Sequence, residues 1–291
     1  MVICNVCQKK QTKYFSYRKY SYYRCSSCKL VSTLPLPTNK VIKAHYLRKF
    51  LNGNYSLLLK YDKEYRNVYK DFIKILTNIV ADQNQKPSNM SVLDIGCFTG
   101  TFLVMLKKLG YKVTGLELQD EAVEIAKKRL PKRVFSSDIM TDEIPGDNFD
   151  IVSLLGLIEH VKDPTKLLKK CSKLMKPGSL MLIQTPNSSS LPANLLKKYW
   201  PPFAPVEHIH LFSRESLELL LEKNGFEIVV SKNHVKKLPV SYVYHMLNNF
   251  GPEFAKIAKP IHSIMPKSFR EAILPFYVGE MIVVGRKLPK N

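Results

Sequence analysis

The chain changes its hydrophobic rhythm twice. Between residues 11 and 24, aromatic and polar residues alternate (QTKYFSYRKYSYYR), which predicts a β-hairpin. Leu34-Pro-Leu-Pro37 closes that stretch, and from 41 to 80 apolar and aromatic residues recur at helix-like intervals with no proline, so helix is expected there. A polar linker, 81–90, follows. From Ser91 strands and helices alternate. Strands are predicted at 91–95, 112–116, 133–135, 149–155, 179–185, 226–231 and 278–285. The intervening helices are expected at 101–109, 119–130 and from Asp163-Pro164 to about 175, with another opening at Ser213 and ended by Asn224-Gly225. Such alternation predicts an α/β fold with a parallel, doubly wound sheet. The expected organisation is a ribbon at 1–34, a helical linker or lid at 35–90, and an α/β domain at 91–291 carrying insertions at 187–210 and 236–275.

Cysteine spacing adds a metal to this picture. Cys4 and Cys7 form one C-x-x-C pair and Cys25 and Cys28 a second, with the predicted hairpin between them. Two thiolates from one tight turn reach the same ion, and two such turns close a tetrahedral structural zinc site. Disulfides fit poorly without a secretion signal, and a redox pair would not explain two matched pairs. A small N-terminal zinc ribbon is expected, dependent on its metal to fold. Cys97 and Cys171 are left over, one just after the strand predicted at 91–95 and one in a helix core.

The chemistry concentrates at Val92-Leu-Asp-Ile-Gly-Cys-Phe-Thr-Gly100, a strand running into a glycine-bearing turn and then a helix. Gly96 lets backbone approach a ligand and Gly100 lets the helix start against the sheet. Glu117, at the end of the second strand, is placed to accept hydrogen bonds from ribose hydroxyls. A dinucleotide site would need G-x-G-x-x-G; here Asp94 opens D-x-G-x-x-x-G, putting a carboxylate where an ammonium would be received. That favours S-adenosyl-L-methionine. Asp138, after the third strand, is placed to meet the adenine amino group, and Leu155-Gly-Leu-Ile-Glu-His160 closes the fourth strand.

At LDIGCFTG, Glu117, IEHVKDP and EHIHLFS the chain resembles the class I S-adenosylmethionine-dependent methyltransferases, in particular the branch containing the ubiquinone-biosynthesis O-methyltransferases. The resemblance implies a Rossmann-like sheet of seven strands with the last antiparallel. It assigns cofactor contacts to Asp94, Gly96, Gly100, Glu117, Asp138 and the strand end at Leu155, with Cys97, Phe98, Leu118 and Ile139 flanking them. Phe98 replaces the family's middle glycine, which changes the wall of the site. In the ubiquinone-pathway relatives a carboxylate three residues before the Glu-His pair completes a divalent-metal site; here that position is Gly156. Glu159 and His160, and His208 of the His-Ile-His segment, are therefore the catalytic candidates, either His serving as general base, against a purely structural role for each. His208 and His210 are expected to point the same way at period two. Trp200, Phe203 and Tyr244 are expected to line an acceptor pocket built by the insertions, or else to be core.

Charge bears on partners. Against 24 acidic residues the 291-residue chain has 45 basic ones, a formal net charge of +21. Arg supplies only nine of these, and the Lys are spread, which fits a solvated surface better than a nucleic-acid groove. O-methylation of a small metabolite, sugar or lipid-linked intermediate is the leading expectation. An RNA methyltransferase ranks below it, since LLGLIEH is not the Asn/Asp-Pro-Pro-aromatic motif of base-nitrogen methylation, and a non-catalytic cofactor-binding module ranks third. Basic and apolar residues mix at 254–270, as on a segment resting on a membrane surface. No apolar run reaches the roughly 18–20 residues of a spanning helix, and the N-terminus is not a signal sequence, so a cytoplasmic protein is expected. No pattern specifies an oligomer.

Overall fold

In the computed structural model the described residues are 1–51, 62–248, 256, 259, 260 and 262–289. Two sheets organise them. The larger has seven strands: β5 (Ser91–Ile95), β6 (Lys112–Glu117), β7 (Val134–Ser136), β8 (Phe149–Leu155), β9 (Met175–Pro186), β11 (Phe226–Pro239) and β12 (Ile273–Lys287). Their order is β11-β12-β9-β8-β5-β6-β7, with β12 antiparallel to both neighbours and the rest parallel, as the family resemblance implies.

Alternate residues of each central strand feed two cores. Leu93, Ile95, Val152, Leu154, Met181 and Ile183 face one side, where helices α5 (Pro164–Lys173) and α7 (Arg214–Lys223) pack. Val92, Ile151, Leu180, Leu182, Ile282 and Val284 face the other, under α2 (Asp62–Asp82) and α3 (Thr101–Lys108). Strands buried on both faces are what parallel α/β sheets require. Asp163 caps α5 by accepting the Lys166 N–H at 2.9 Å, with Pro164 at the first helical position. The predicted helix at 41–80 is found as α1 (Asn39–Leu51) and α2, with 52–61 outside the described residues.

The second sheet has five strands: β1 (Val2–Ile3), β2 (Lys10–Tyr17), β3 (Tyr20–Cys25), β4 (Val31–Leu34) and β10 (His210–Leu211). The predicted hairpin is β2–β3. Its fifth strand comes from the other end of the chain: β10 pairs antiparallel with β4, His210 opposite Ser32 and Leu211 opposite Val31. Cys4, Cys25, Cys28 and Leu30 join the same core cluster as Leu93, Val152 and Ile183. The cysteine ribbon is thus built into the flank of the α/β core.

The last two strands run longer than predicted. Residues 236–239 and 273–275, expected in an insertion, continue the β11–β12 hairpin, with Lys236 opposite Phe276 and Pro239 opposite Ile273. The sequence 232–239 (KNHVKKLP) has no apolar alternation, and cross-strand pairing extends it. Helices α4 (Asp120–Arg129), α6 (Leu191–Leu196), α8 (Val240–Asn248) and α9 (Lys267–Glu271) complete the elements named here. Of the mixed basic-apolar stretch, residues 254, 257 and 261 lie outside the described set. No helix among the described residues is long and apolar enough to cross a membrane.

Candidate functional site

β5 carries Asp94 to its carboxyl end, where the side chain is 2% exposed and accepts the Ser153 hydroxyl at 2.6 Å. Burial pushes this carboxyl up, to about 7; Glu117 adds to the rise and Ser153 opposes it. Gly96 and Gly100 then take left-handed backbone, φ +77° and +73°, which turns the chain tightly off the strand and into α3. Phe98 is also left-handed, at φ +48°, a conformation costly for a residue with a side chain. Its N–H is held there by Glu117 Oε2 at 2.8 Å, while Glu117 Oε1 accepts the N–H groups of Leu118 at 2.7 Å and Gln119 at 3.0 Å. The ends of β5 and β6 are thereby tied into one concave rim. Asp138 sits half-buried beyond β7, accepting the Met140 N–H at 2.8 Å; Ile139 beside it is buried, and Leu118 is exposed. Leu155 is half-buried at the end of β8, and Cys97 is buried beside Gly115, where a Cβ would lie 2.7 Å from its Sγ.

Glu159, His160 and His208 come together although 47 residues separate the last two. Their ligand atoms all lie within 4.8 Å of one another, and the two imidazole rings meet edge-on at 4.9 Å. Each His Nδ1 is placed to donate to a backbone carbonyl, His160 to Glu207 at 2.9 Å and His208 to Pro202 at 2.6 Å. In that tautomer each Nε2 carries the lone pair. Glu159 is buried, accepts the Thr185 hydroxyl at 2.9 Å and lies 4.0 Å from His160 Nε2. Burial pushes Glu159 up, opposed by His208, and pushes His208 down, with His160 adding to that fall. The pair is therefore suited to hold one imidazole neutral. The cluster adjoins the glycine turn: a Cβ on Gly96 would be 3.4 Å from Leu157, two residues before Glu159. One carboxylate and two imidazoles are also a donor set that fits a divalent cation.

One expectation is corrected. His210 does not share His208's surroundings. The chain bends at Ile209, and the buried His210 ring contacts Ser32 at 3.3 Å, Asn5 at 3.5 Å and the Lys162 carbonyl at 3.2 Å, on the ribbon side. Of the two readings open for Trp200 and Phe203, core is the one found: they are buried against Tyr22 and Val31 of the ribbon, with Trp200 Nε1 donating to the Val278 carbonyl at 3.1 Å. The Tyr244 ring stacks on His262 at 3.9 Å. The four ribbon cysteines do converge, all Sγ atoms within 4.8 Å of one another, with Cys4 and Cys28 at 3.5 Å and Cys7 and Cys25 at 3.3 Å. Tetrahedral zinc at about 2.3 Å from each sulfur needs S–S separations of roughly 3.8 Å, so the donor set fits.

Other polar residues at the site gave no signal in the sequence. Asp62, at the start of α2, accepts hydrogen bonds from Thr99 at 3.2 Å, from Thr101, and from Arg129 at 3.0 Å, tying that helix to the glycine turn. Although burial raises the Asp62 carboxyl, these partners hold it below its usual value. Glu280 on β12 is paired with Lys236 on β11 and with Gln184 on β9. Each is isolated in sequence, and only strand register brings them together.

Comparison with known proteins agrees with this geometry. A family model described as a methyltransferase domain matches residues 61–231, well over half of the chain. The ubiquinone biosynthesis O-methyltransferase of Colwellia psychrerythraea is 33% identical over 108 residues, 35% of this chain and 44% of that protein. Its counterpart in Xanthomonas euvesicatoria is 35% identical over 103 residues, 33% of this chain and 43% of that protein. The chain thus matches less than half the length of these relatives. Among solved structures, a SAM-dependent methyltransferase from Thermotoga maritima superposes with a TM-score of 0.51 at 21% identity, covering 84% of this chain and 99% of the other, a likeness of fold. Family match, sheet order and glycine turn agree: the chain belongs to the S-adenosylmethionine-dependent methyltransferases.

Proposed function

We propose that the protein transfers the methyl group of S-adenosylmethionine to a hydroxyl oxygen of a small-molecule, glycan or lipid-linked acceptor. The observation that carries this reading is the Glu159–His160–His208 cluster beside the glycine turn. The O-methyltransferase relatives support a hydroxyl acceptor over RNA. When bound, the cofactor supplies an electrophilic methyl on a sulfonium; the acceptor oxygen takes it as the carbon–sulfur bond breaks and its electron pair returns to sulfur. Asp94 receives the ammonium, Glu117 the ribose hydroxyls and Asp138 the adenine edge, with Gly96, Cys97, Phe98, Gly100, Leu118, Ile139 and Leu155 shaping the cradle. His208 or His160 accepts the acceptor's proton at Nε2, and Glu159 orients the pair. Because displacement is in line, positioning does much of the work. In the ribbon, Cys4, Cys7, Cys25 and Cys28 hold a structural zinc. A non-catalytic module would bind cofactor without turnover.

Tritium transfer from labelled cofactor into fractionated extract tests the reading: label in a polar or lipid fraction supports it, and label confined to RNA overturns it. A chelator arm that removes activity while zinc stays in the ribbon would assign the cluster to a metal instead of a base.

Two expectations concern the cofactor. Asp94 must be ionised to receive an ammonium, and in the free protein it is pushed up to about 7. Affinity for S-adenosylmethionine should therefore fall as pH drops through 7, approaching about tenfold per pH unit, and level off above it. Calorimetry from pH 5.5 to 9 checks this, and Asp94→Asn should flatten the curve in that range. Glu117→Gln should weaken binding about 10- to 100-fold, the loss of a charge-assisted hydrogen bond. An unchanged affinity removes Glu117 from the site.

A further inference from the structure

Register places a second set of polar groups on the Asp94 side of the sheet. Leu182 and Ile282 point into the second core, and at period two the same face of each strand next presents Gln184 on β9 and Glu280 on β12. Glu280 Oε2 accepts from Gln184 Nε2 at 2.8 Å, and Glu280 Oε1 from Lys236 Nζ at 2.6 Å. His234 Nδ1 lies 3.4 Å from the same carboxylate. The Lys236 and Glu280 side chains keep 18% and 13% of their surface accessible, so the pair faces open space while flanked by protein. Tyr65 of α2 and the buried Tyr242 of α8 lie close enough to feel the pair's charges, their hydroxyls 3.2 Å apart, and the half-buried Tyr69 ring is next to Tyr65 along α2.

The shelf runs into the catalytic cluster. Gly156 lies between them: a Cβ there would sit 3.8 Å from Gln184 Oε1 and 3.8 Å from Glu159 Oε1. The space that a side chain at 156 would fill is open between shelf and bases. The charge on this surface is unfavourable to an anion. The shelf's cation, Lys236, is already matched by Glu280, and Glu159 adds a second acidic group. Taking an acceptor carboxylate or phosphate out of water against that surface would leave its charge without a partner. A neutral molecule dense in hydroxyls meets what is present. The lysine donates, the carboxylate accepts, the glutamine amide does both, and the half-buried Tyr65 ring offers an apolar face to a ring.

We infer that Lys236, Glu280 and Gln184 form the acceptor-recognition shelf and that the group methylated belongs to a neutral, polyhydroxylated, sugar-like ring. This rests on the methyltransferase reading and narrows its acceptor. The test separates the two. Calorimetry with S-adenosylmethionine reports on the reading itself. Saturation-transfer NMR on the whole protein reports on the shelf, using methyl α-glucoside, methyl α-mannoside and methyl α-rhamnoside against glucuronate, glucose 6-phosphate, catechol and 4-hydroxybenzoate.

At least one neutral glycoside should bind and take tritium from the labelled cofactor, in preference to the anionic and aromatic probes. Glu280→Gln should weaken neutral-glycoside binding about 10- to 100-fold and, by freeing Lys236, raise affinity for glucuronate. Gln184→Leu, which leaves the ion pair in place, should show the first effect without the second. Cofactor affinity should stay at the wild-type value in both variants, which also certifies their folding. The shelf is refuted if no neutral glycoside binds, if the aromatic or anionic probes are preferred, or if both folded variants keep the wild-type selectivity.

Discussion

Replacing His208 by Ala should lower methyl transfer about 10²–10⁴-fold, the usual contribution of a positioned base, with S-adenosylmethionine still bound. His208 reaches the site from a segment far along the chain, yet its tautomer is fixed by the Pro202 carbonyl at 2.6 Å. Burial and His160 hold it below its ordinary value, which favours the neutral imidazole that a base must offer. His160 is the competing candidate, with its own Nδ1 contact to the Glu207 carbonyl at 2.9 Å and its ring against His208. Single and double Ala variants decide between them. If one His is the base, its single variant carries nearly the whole loss and the double adds little. If the two share the proton, each single loses less than the double. Near-normal rates in all three, with cofactor bound, would remove general-base catalysis and the hydroxyl acceptor with it.

How far this site could be read from sequence depended on whether its parts were local. The glycine turn was legible because LDIGCFTG holds strand, carboxylate, turn and helix start within a few residues, and Glu117 follows at the end of the neighbouring strand. The four cysteines were legible because two short turns carry all the donors. The Glu159–His208 encounter was half legible. Each residue stood out, but their contact depends on the Ile209 N–H donating to the Glu159 carbonyl at 2.8 Å, a long-range bond that no period encodes. The Lys236–Glu280 pair was invisible, since 232–239 shows no apolar alternation and becomes strand only by pairing with 273–282. The choice between pocket and core for Trp200 and Phe203 stayed open for a related reason. An aromatic in an insertion at a sheet end can line a pocket or fill core, and here the ribbon supplies the surface that buries it.

That burial leads to the second large effect expected. Stripping the ribbon metal, by a chelator or by Cys25→Ser, should abolish turnover while leaving cofactor affinity close to wild type. The ribbon is coupled to the segment that carries His208 by a set of hydrogen bonds. Thr33 on β4 donates its N–H to the Ile209 carbonyl at 3.0 Å and its hydroxyl to the His208 carbonyl at 3.2 Å. The Ser213 hydroxyl, at the cap of α7, donates to the carbonyl of Cys28 at 2.7 Å. A zinc on the four cysteines would hold Cys25 and Cys28 at either end of the turn that leads into β4, and metal binding in small domains of this kind supplies folding free energy of about 10–16 kcal/mol. Without it β4 loses its anchor, β10 loses its partner strand, and His208 is no longer held 4.9 Å from His160. Asp94, Glu117 and Asp138 lie on β5, β6 and the loop after β7, none of which pairs with the ribbon sheet. Elemental analysis should find one zinc per chain in the native protein and none in Cys25→Ser. Calorimetry should then show cofactor binding in the variant, and Thr33→Val should reproduce part of the turnover loss with zinc retained. A metal-free native protein would refute the zinc site, and a zinc-free variant with full turnover would show that the ribbon does not position His208.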